Sequence, residues 1–341
     1  MPKKDHYVII GNGPAGNKAA DVLRENDRNA RITILSDEHF SFYYRHKLCD
    51  FMSGVIDEDT LKVKFYKEYK EKNIRLRLGQ RVEKIDPDSK TLFLKHMEKL
   101  RYTKLILAVG SAPRVLPSLL RYKDYFTFMS NYNDAANVKS MLENIKNPIV
   151  IGGDLIGINF IKMLSRLKKK ATFFMYYKSF WPFDLDIKKA DAIRLSLEKN
   201  NIKTISGDPV KTISRRDADY IIETESGREI EGDALFSFMG RIPNIQFIKG
   251  SGIDTERGIL VNEYLQANYK DIYACGDCAQ IYNLELKDYW ISIGWENSIL
   301  QGEVAAYNLL GEHRIIKPMS KKIFNVEGIK VKTSWWNQLK T

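Results

Sequence analysis

The stretch Tyr7–Glu38 constrains the fold more than any other, because a short apolar run, Tyr7–Ile10, passes directly into Gly11-Asn12-Gly13-Pro14-Ala15-Gly16. Such a run ending in a glycine-rich turn suits a buried parallel strand that feeds a helix. Gly11 permits the tight turn, Gly13 lets the backbone come up against a pyrophosphate, and Gly16 lets the helix pack close to the strand. Pro14 and Ala15 stand at the helix start, with the helix expected over about residues 15–25 and its first N–H groups free for phosphate oxygens. Ile32–Leu35 reads as the next strand, and Asp37-Glu38 follows where an acid should take ribose hydroxyls. Glycines in an ordinary turn are the plain alternative, but here strand, turn, helix, strand and acid all come in order.

The pattern returns once. Ile149–Ile151 is a short apolar strand, Gly152-Gly153-Asp154-Leu155-Ile156-Gly157 opens a helix reaching about Lys169, and Thr172–Tyr176 is the following strand. Two nucleotide-binding folds in one chain is the economical reading. The second copy departs at the positions a ligand needs. Asp154 replaces the middle glycine, so a carboxylate stands where a pyrophosphate should approach, and like charges in a partly buried site are costly. Its second strand ends in Met175-Tyr176-Tyr177, with no acid for an adenine ribose. Gly152, Asp154 and Gly157 therefore mark a degenerate second nucleotide site.

A chain of 341 residues, 44% of them hydrophobic, is long enough for two domains with cores of their own. Three cysteines give no disulfide framework, and no apolar run is long enough to span a membrane. Met1–Asp5 leads straight into the first strand without a signal-peptide pattern, so a cytoplasmic protein is expected. The net charge of +11 is dispersed, with local runs at Lys168–Lys170 and Lys321-Lys322. No arginine-rich or aromatic-interleaved stripe suggests nucleic acid, and solvated helix faces account for most of the excess, with attraction to an acidic partner protein or an anionic surface as the reading for the rest.

After the first acid comes Phe40-Ser41-Phe42-Tyr43-Tyr44-Arg45-His46-Lys47-Leu48. Aromatic and cationic residues just past a nucleotide-binding unit suit a planar electron-accepting ring, and Arg45 and Lys47 are the candidates to stabilise negative charge on it. Surface solvation is the plain role for either. A mixed, partly helical connection over 61–72 precedes a strand at 74–78 and a hairpin over 80–85 and 90–94. Leu105–Ser111 returns as a buried strand, and Ala112-Pro113-Arg114 crosses out of the domain. The second unit continues through a helix at 187–199 and strands to about Met239, and Gly240-Arg241-Ile242-Pro243-Asn244 crosses back. Asp271–Asp277 is a strand ending in Gly276-Asp277, a turn that can aim one carboxylate at a ribityl hydroxyl. The helix expected over 297–309 has Gln301-Gly302 and Ala305-Ala306 as a close-packing face.

Together these segments resemble the FAD-dependent pyridine nucleotide-disulfide oxidoreductase superfamily, nearest to NADH:rubredoxin reductases and the flavin domain of NADH-dependent nitrite reductases. The resemblance implies an α/β fold of two Rossmann-like, three-layer nucleotide-binding domains, the second inserted in the first. Residues 1–112 and 244–316 would form the FAD domain, 113–243 the NAD(P)-like domain, and 317–341 a short basic tail. Gly11, Gly13, Pro14, Ala15, Gly16 and Asp37 or Glu38 match the adenosine and pyrophosphate motif. Tyr43 and Arg45 match the Tyr-x-Arg segment at the flavin, with His46 where proline is common. Val82, Ala108 and Gly110 are further implied cofactor contacts, Gly240, Arg241 and Pro243 match the second crossover, and Gly276 with Asp277 matches the second FAD motif. In such proteins NADH gives hydride to the flavin, which hands electrons on to an acceptor.

The expected function is that of an FAD-dependent oxidoreductase moving hydride or electrons between a nicotinamide cofactor or partner protein and an acceptor protein or small molecule. NAD(P)H is placed in doubt by Asp154. The alternative is a flavin-binding electron-transfer subunit of a larger assembly that binds no NAD(P)H itself. No metal is required. Residues 312–341 carry seven Lys or Arg against two Glu, with Trp335-Trp336. That tail is either a docking surface for a like or unlike chain or a piece that packs on its own core. Cys49 lies close behind the flavin loop as a lone redox or packing cysteine, and Cys275 with Cys278 is expected to pack beneath the cofactor motif.

Overall fold

The computed structural model describes residues 4–175, 183–184, 186–316, 323–326 and 329–333. His6–Ile10 is the hub of a five-stranded parallel sheet, flanked on one side by Arg31–Leu35 and Ile74–Arg77 and on the other by Lys104–Leu107 and Ile272–Ala274. All five residues of that strand are buried, as expected where helices or loops cover both faces. The first helix runs from Pro14 to Asn26. Its partner is the helix Trp295–Leu309, which begins two residues earlier than the sequence suggested. The two helices meet at glycine: a Cβ at Gly302 would lie 2.2 Å from the Ala15 carbonyl oxygen. Gly302, in the close-packing face read from Gln301-Gly302 and Ala305-Ala306, is therefore where the Trp295–Leu309 helix meets the Pro14–Asn26 helix.

The inserted unit repeats the scheme in a four-stranded parallel sheet, with Pro148–Ile151 between Ala171–Met175 and Ala234–Ser237, and Ile202–Ser206 outermost. Its first helix, Leu155–Arg166, stops short of the expected Lys169, because Lys168 takes a left-handed backbone with φ of 56°. The crossover strands Ser111–Pro113 and Arg241–Pro243 pair antiparallel and tie the exit of the first domain to the return from the second. A second core joins Tyr43, Leu48, Phe51 and Met52 of the first domain to Val150, Phe160 and Phe236 of the insert. The loop read as a flavin loop is thus clamped between the domains.

The outer hairpin forms from Val82–Asp86 and Thr91–Leu94, and Lys99–Arg101 adds a third strand. That third strand is too short to mark in the sequence, since Leu100 is its single apolar residue between Lys99 and Arg101. Ile323–Val326 and Ile329–Thr333 pair as a hairpin that extends to Phe183-Asp184 of the insert, and Ile316 is buried in the first core. The described part of the tail therefore belongs to the body of the protein. Trp335-Trp336 and Tyr176-Tyr177 lie outside the described residues. Truncation after Gly311 is accordingly expected to lower the thermal midpoint by several degrees, since it removes buried Ile316, worth about 2 kcal/mol, and a strand pairing. An unchanged midpoint would assign the whole tail to an external role.

His6 is a buried histidine with both ring nitrogens engaged, Nδ1 at 2.8 Å from the Arg101 carbonyl and Nε2 at 2.9 Å from the Thr33 hydroxyl. Burial, followed by the charge of Arg31, lowers its pKa from 6.5 to about 4, against the pull of the Arg101 carbonyl. Because the folded value lies below the unfolded one, the neutral ring's contribution is complete above pH 6.5 and is lost as the pH falls through about 4. Urea titration at pH 7 and pH 5 should show a larger fall in midpoint for the wild type than for His6→Gln. Equal falls would remove His6 as a source of acid sensitivity.

Candidate functional site

The three glycines of the first turn do different work. Gly11 has φ of +118°, and a Cβ there would sit 2.0 Å from the Ala108 carbonyl oxygen. Ala108 is itself held by its N–H, which donates to the Ile10 carbonyl at 2.8 Å. A Cβ at Gly16 would lie 2.0 Å from the Gly11 carbonyl oxygen, so this glycine lets the helix close onto the turn. At Gly13, chain neighbours aside, no described protein atom lies within 4 Å of an added Cβ. Gly13 is the N-cap of the Pro14–Asn26 helix, which has no side-chain cap. Its orphan N–H groups and partial positive charge therefore face open space, which is what a pyrophosphate requires.

The acids divide. Glu38 accepts from Tyr43 Oη at 2.8 Å and from the Arg45 guanidinium, while Asp37 stands exposed beside it. Arg45 also donates through Nη1 to the Ser130 carbonyl at 2.7 Å and lies over the Tyr43 ring. Asp37 is thus the freer carboxylate for a ribose, and Arg45 fastens the loop to Glu38 and to the inserted domain. Gly79 N–H donates to the Glu38 carbonyl and Gln80 N–H to the Ser36 carbonyl, which brings the start of the outer hairpin, with buried Val82, beside the acids. Lys47 places its ammonium 4.4 Å over the Tyr44 ring. Tyr44, His46 and Phe42 surround Trp295, whose ring stacks on Phe42 at 5.3 Å and 4°. That aromatic cluster, at the first residue of the Trp295–Leu309 helix, was only half legible in sequence, because nothing in the aromatic run of 40–44 points to Trp295.

The second motif meets the first here. Gly276 takes φ of +79°, and a Cβ on it would lie 3.3 Å from Ala15 Cβ. Asp277 accepts from Ser111 Oγ at 3.0 Å and from the Gly294 N–H at 3.2 Å. Ser111 in turn accepts from Arg241 Nε at 2.8 Å. The Gly-Asp turn, the exit strand and the return strand are thereby locked together, and Gly110 is held by the Asn244 N–H, which donates to its carbonyl at 3.0 Å. Gly294, the N-cap of the last helix, has no side-chain cap either. The first domain thus brings together two helix N-termini, one open at Gly13 and one at Gly294 whose N–H donates to Asp277, and this arrangement fits an extended dinucleotide.

In the second domain the turn is built alike and finished differently. Gly152 has φ of +101°, and a Cβ on it would lie 2.1 Å from the Phe238 carbonyl oxygen, the counterpart of Gly11 against Ala108. Gly157 packs against Phe238. Asp154, however, caps its own helix, accepting from the Gly157 N–H at 2.8 Å and from the Gly240 N–H at 3.1 Å. Asp154 is 8% exposed. Burial raises its pKa, against the lowering by the Gly157 N–H, Arg241 and the Gly240 N–H. An internal anion thus uses donors that a bound pyrophosphate would need.

The three cysteines are all free thiols. Burial pushes the Cys49 and Cys278 thiols up to about 12 and Cys275 upward as well. None is poised as a thiolate. Cys275 and Cys278, on either side of Gly276-Asp277 in the chain, pack in the first core. Among the described residues no cluster of His, Cys, Asp or Glu could hold a metal ion, and no helix is long and apolar enough to cross a membrane.

Two Rossmann-like units, one nested in the other and joined by a paired crossover, define a two-domain dinucleotide-binding oxidoreductase. The chain belongs to the pyridine nucleotide-disulphide oxidoreductase family, whose model matches residues 5–305, and it is an FAD-dependent oxidoreductase. Among curated proteins it is 28% identical over 332 residues to the NADH-rubredoxin oxidoreductase of Clostridium acetobutylicum, covering 96% of this chain and 81% of that one. It is 29% identical over 278 residues to the nitrite reductase [NAD(P)H] of Bacillus subtilis, covering 81% of this chain but only 34% of that one. The solved ferredoxin reductase of Rhodopseudomonas palustris superposes with a TM-score of 0.87 at 21% identity, over 96% of this chain and 82% of its own.

Proposed function

We propose that this protein is an electron-transfer flavoprotein that holds FAD across Gly13 and Asp277 and exchanges electrons with a partner redox protein, while its second nucleotide site is closed by Asp154. The observation that carries the reading is the contrast between two like-built turns: one leaves its helix N-terminus open, the other fills it with its own carboxylate. When bound, FAD supplies the redox chemistry. The protein's share is to hold and orient it. Gly13 and the first turn of its helix take the pyrophosphate, Asp37 takes the adenosine ribose, and Asp277, steadied by Ser111 and Gly294, accepts from a ribityl hydroxyl. Lys47, whose ammonium lies over the Tyr44 ring beside the aromatic cluster, remains the better candidate to tune a reduced ring. Arg45, tied to Glu38 and Ser130, acts by fastening the loop.

A partner redox protein is supported by the relative named for rubredoxin and by the net charge of +11, which favours encounter with an acidic surface. Three unpaired thiols suit a reducing, cytoplasmic setting. The second reading, an NAD(P)H-dependent reductase, is favoured by the match along most of the NADH-rubredoxin oxidoreductase, inserted domain included. The reading of the first site is tested by denaturing purified protein and identifying the released cofactor. One FAD per chain is expected; absence of flavin, or FMN alone, would end it.

A further inference from the structure

Two buried side chains outside the glycine motif pose the pyrophosphate turn. Asn17 is 2% exposed inside the first helix, where asparagine is a poor helix former and competes with the backbone. Its Nδ2 donates to the Asn12 carbonyl at 3.0 Å, to Asn12 Oδ1 at 2.9 Å and to the Gly13 carbonyl at 3.2 Å. Its own Oδ1 accepts from Tyr69 Oη at 2.7 Å, and Tyr69 Oη lies 3.1 Å from Asn12 Oδ1. Tyr69 is itself 2% exposed and comes from the short helix Tyr66–Glu71, in the stretch that the sequence marked only as a mixed connection.

We infer that Asn17 and Tyr69 are positioning residues for the cofactor's pyrophosphate, acting through the Asn12–Gly13 peptide. In a planar trans peptide the carbonyl and the next N–H point in opposite directions. With the Asn12 carbonyl drawn inward onto Asn17, the Gly13 N–H is turned outward into the open space beside Gly13, and it makes no hydrogen bond to any described residue. Drawing the Asn12 and Gly13 carbonyl oxygens inward also keeps their negative ends away from an arriving anion. Tyr69 orients the Asn17 amide, since an amide whose oxygen receives a hydroxyl proton must present its nitrogen to the two carbonyls. A turn preset in this way loses less freedom when the ligand binds.

This inference rests on the proposed FAD site, and the test separates the two. Flavin-stripped full-length protein is titrated with FAD by fluorescence, and ADP, which carries the same adenosine pyrophosphate, is used as competitor. In Tyr69→Phe the dissociation constants of both should rise by roughly tenfold, the size of one buried hydrogen bond, and in Asn17→Ala by more. Tyr102→Phe is the control, a buried tyrosine whose hydroxyl has no hydrogen-bond partner among the described residues, and its affinity should not change. If the wild type binds no FAD, the parent reading has failed. If it binds and Tyr69→Phe binds equally well, or loses FAD without losing ADP in proportion, the positioning role is overturned.

Discussion

Gly13→Val should fold normally and purify without flavin, its affinity for FAD reduced by more than about a hundredfold, or roughly 3 kcal/mol. The backbone at Gly13 is extended, with φ of −86° and ψ of −171°, a conformation valine adopts readily. No described atom beyond its neighbours stands within 4 Å of the new Cβ, so the fold meets no clash. The branches would instead occupy the space left for the pyrophosphate. Gly11→Val makes the contrast, because its Cβ would be driven to 2.0 Å from the Ala108 carbonyl at a positive φ, and that variant should fail to fold. Circular dichroism and thermal melting of both variants, beside their flavin content, check the pair. A Gly13→Val protein that retains FAD would place the cofactor elsewhere.

Asp154→Gly is expected to do the reverse for the second site. Removing the carboxylate frees the Gly157 and Gly240 N–H groups and takes a buried negative charge away from the helix N-terminus. Replacing an aspartate cap by glycine costs only a few tenths of a kcal/mol, so stability should barely change. Reduction of the bound flavin at a fixed NADH or NADPH concentration should become at least about tenfold faster, corresponding to roughly 1.4 kcal/mol of recovered binding. Anaerobic mixing of wild type and variant with each nucleotide measures it. No gain with either would mean that Asp154 caps the helix without closing a site.

Much of this was legible in the sequence because the first turn carries its chemistry in consecutive residues. Gly11, Gly13 and Gly16 can be assigned separate roles from spacing alone, and the structure gives each a different neighbourhood. The second turn was legible for the same reason, although only the structure reveals that the Asp154 carboxylate turns inward to reach Gly240, far along the chain. What was not legible depends on contacts between distant segments. Trp295 joins Phe42 and Tyr44 only because two helices close through Gly302 and Ala15, and Tyr69 reaches Asn17 only because a short helix packs across the turn. The type of Arg45 marks it as a candidate to stabilise charge on a flavin ring, but its partners, Glu38 and the distant Ser130, come only from the structure. By sequence the tail is either a docking surface or a piece packed on its own core, and its final hairpin pairs with Phe183-Asp184, a strand that precedes it by many residues.

Stopped-flow reduction of the FAD-loaded wild-type protein under anaerobic conditions, with NADH, NADPH and a chemical reductant in parallel, bears most directly on the contrast between an open first site and a closed second one. The chemical reductant should bleach the flavin absorbance promptly, while both nucleotides should act slowly or not at all. Rapid bleaching by either nucleotide at micromolar concentration would contradict the account.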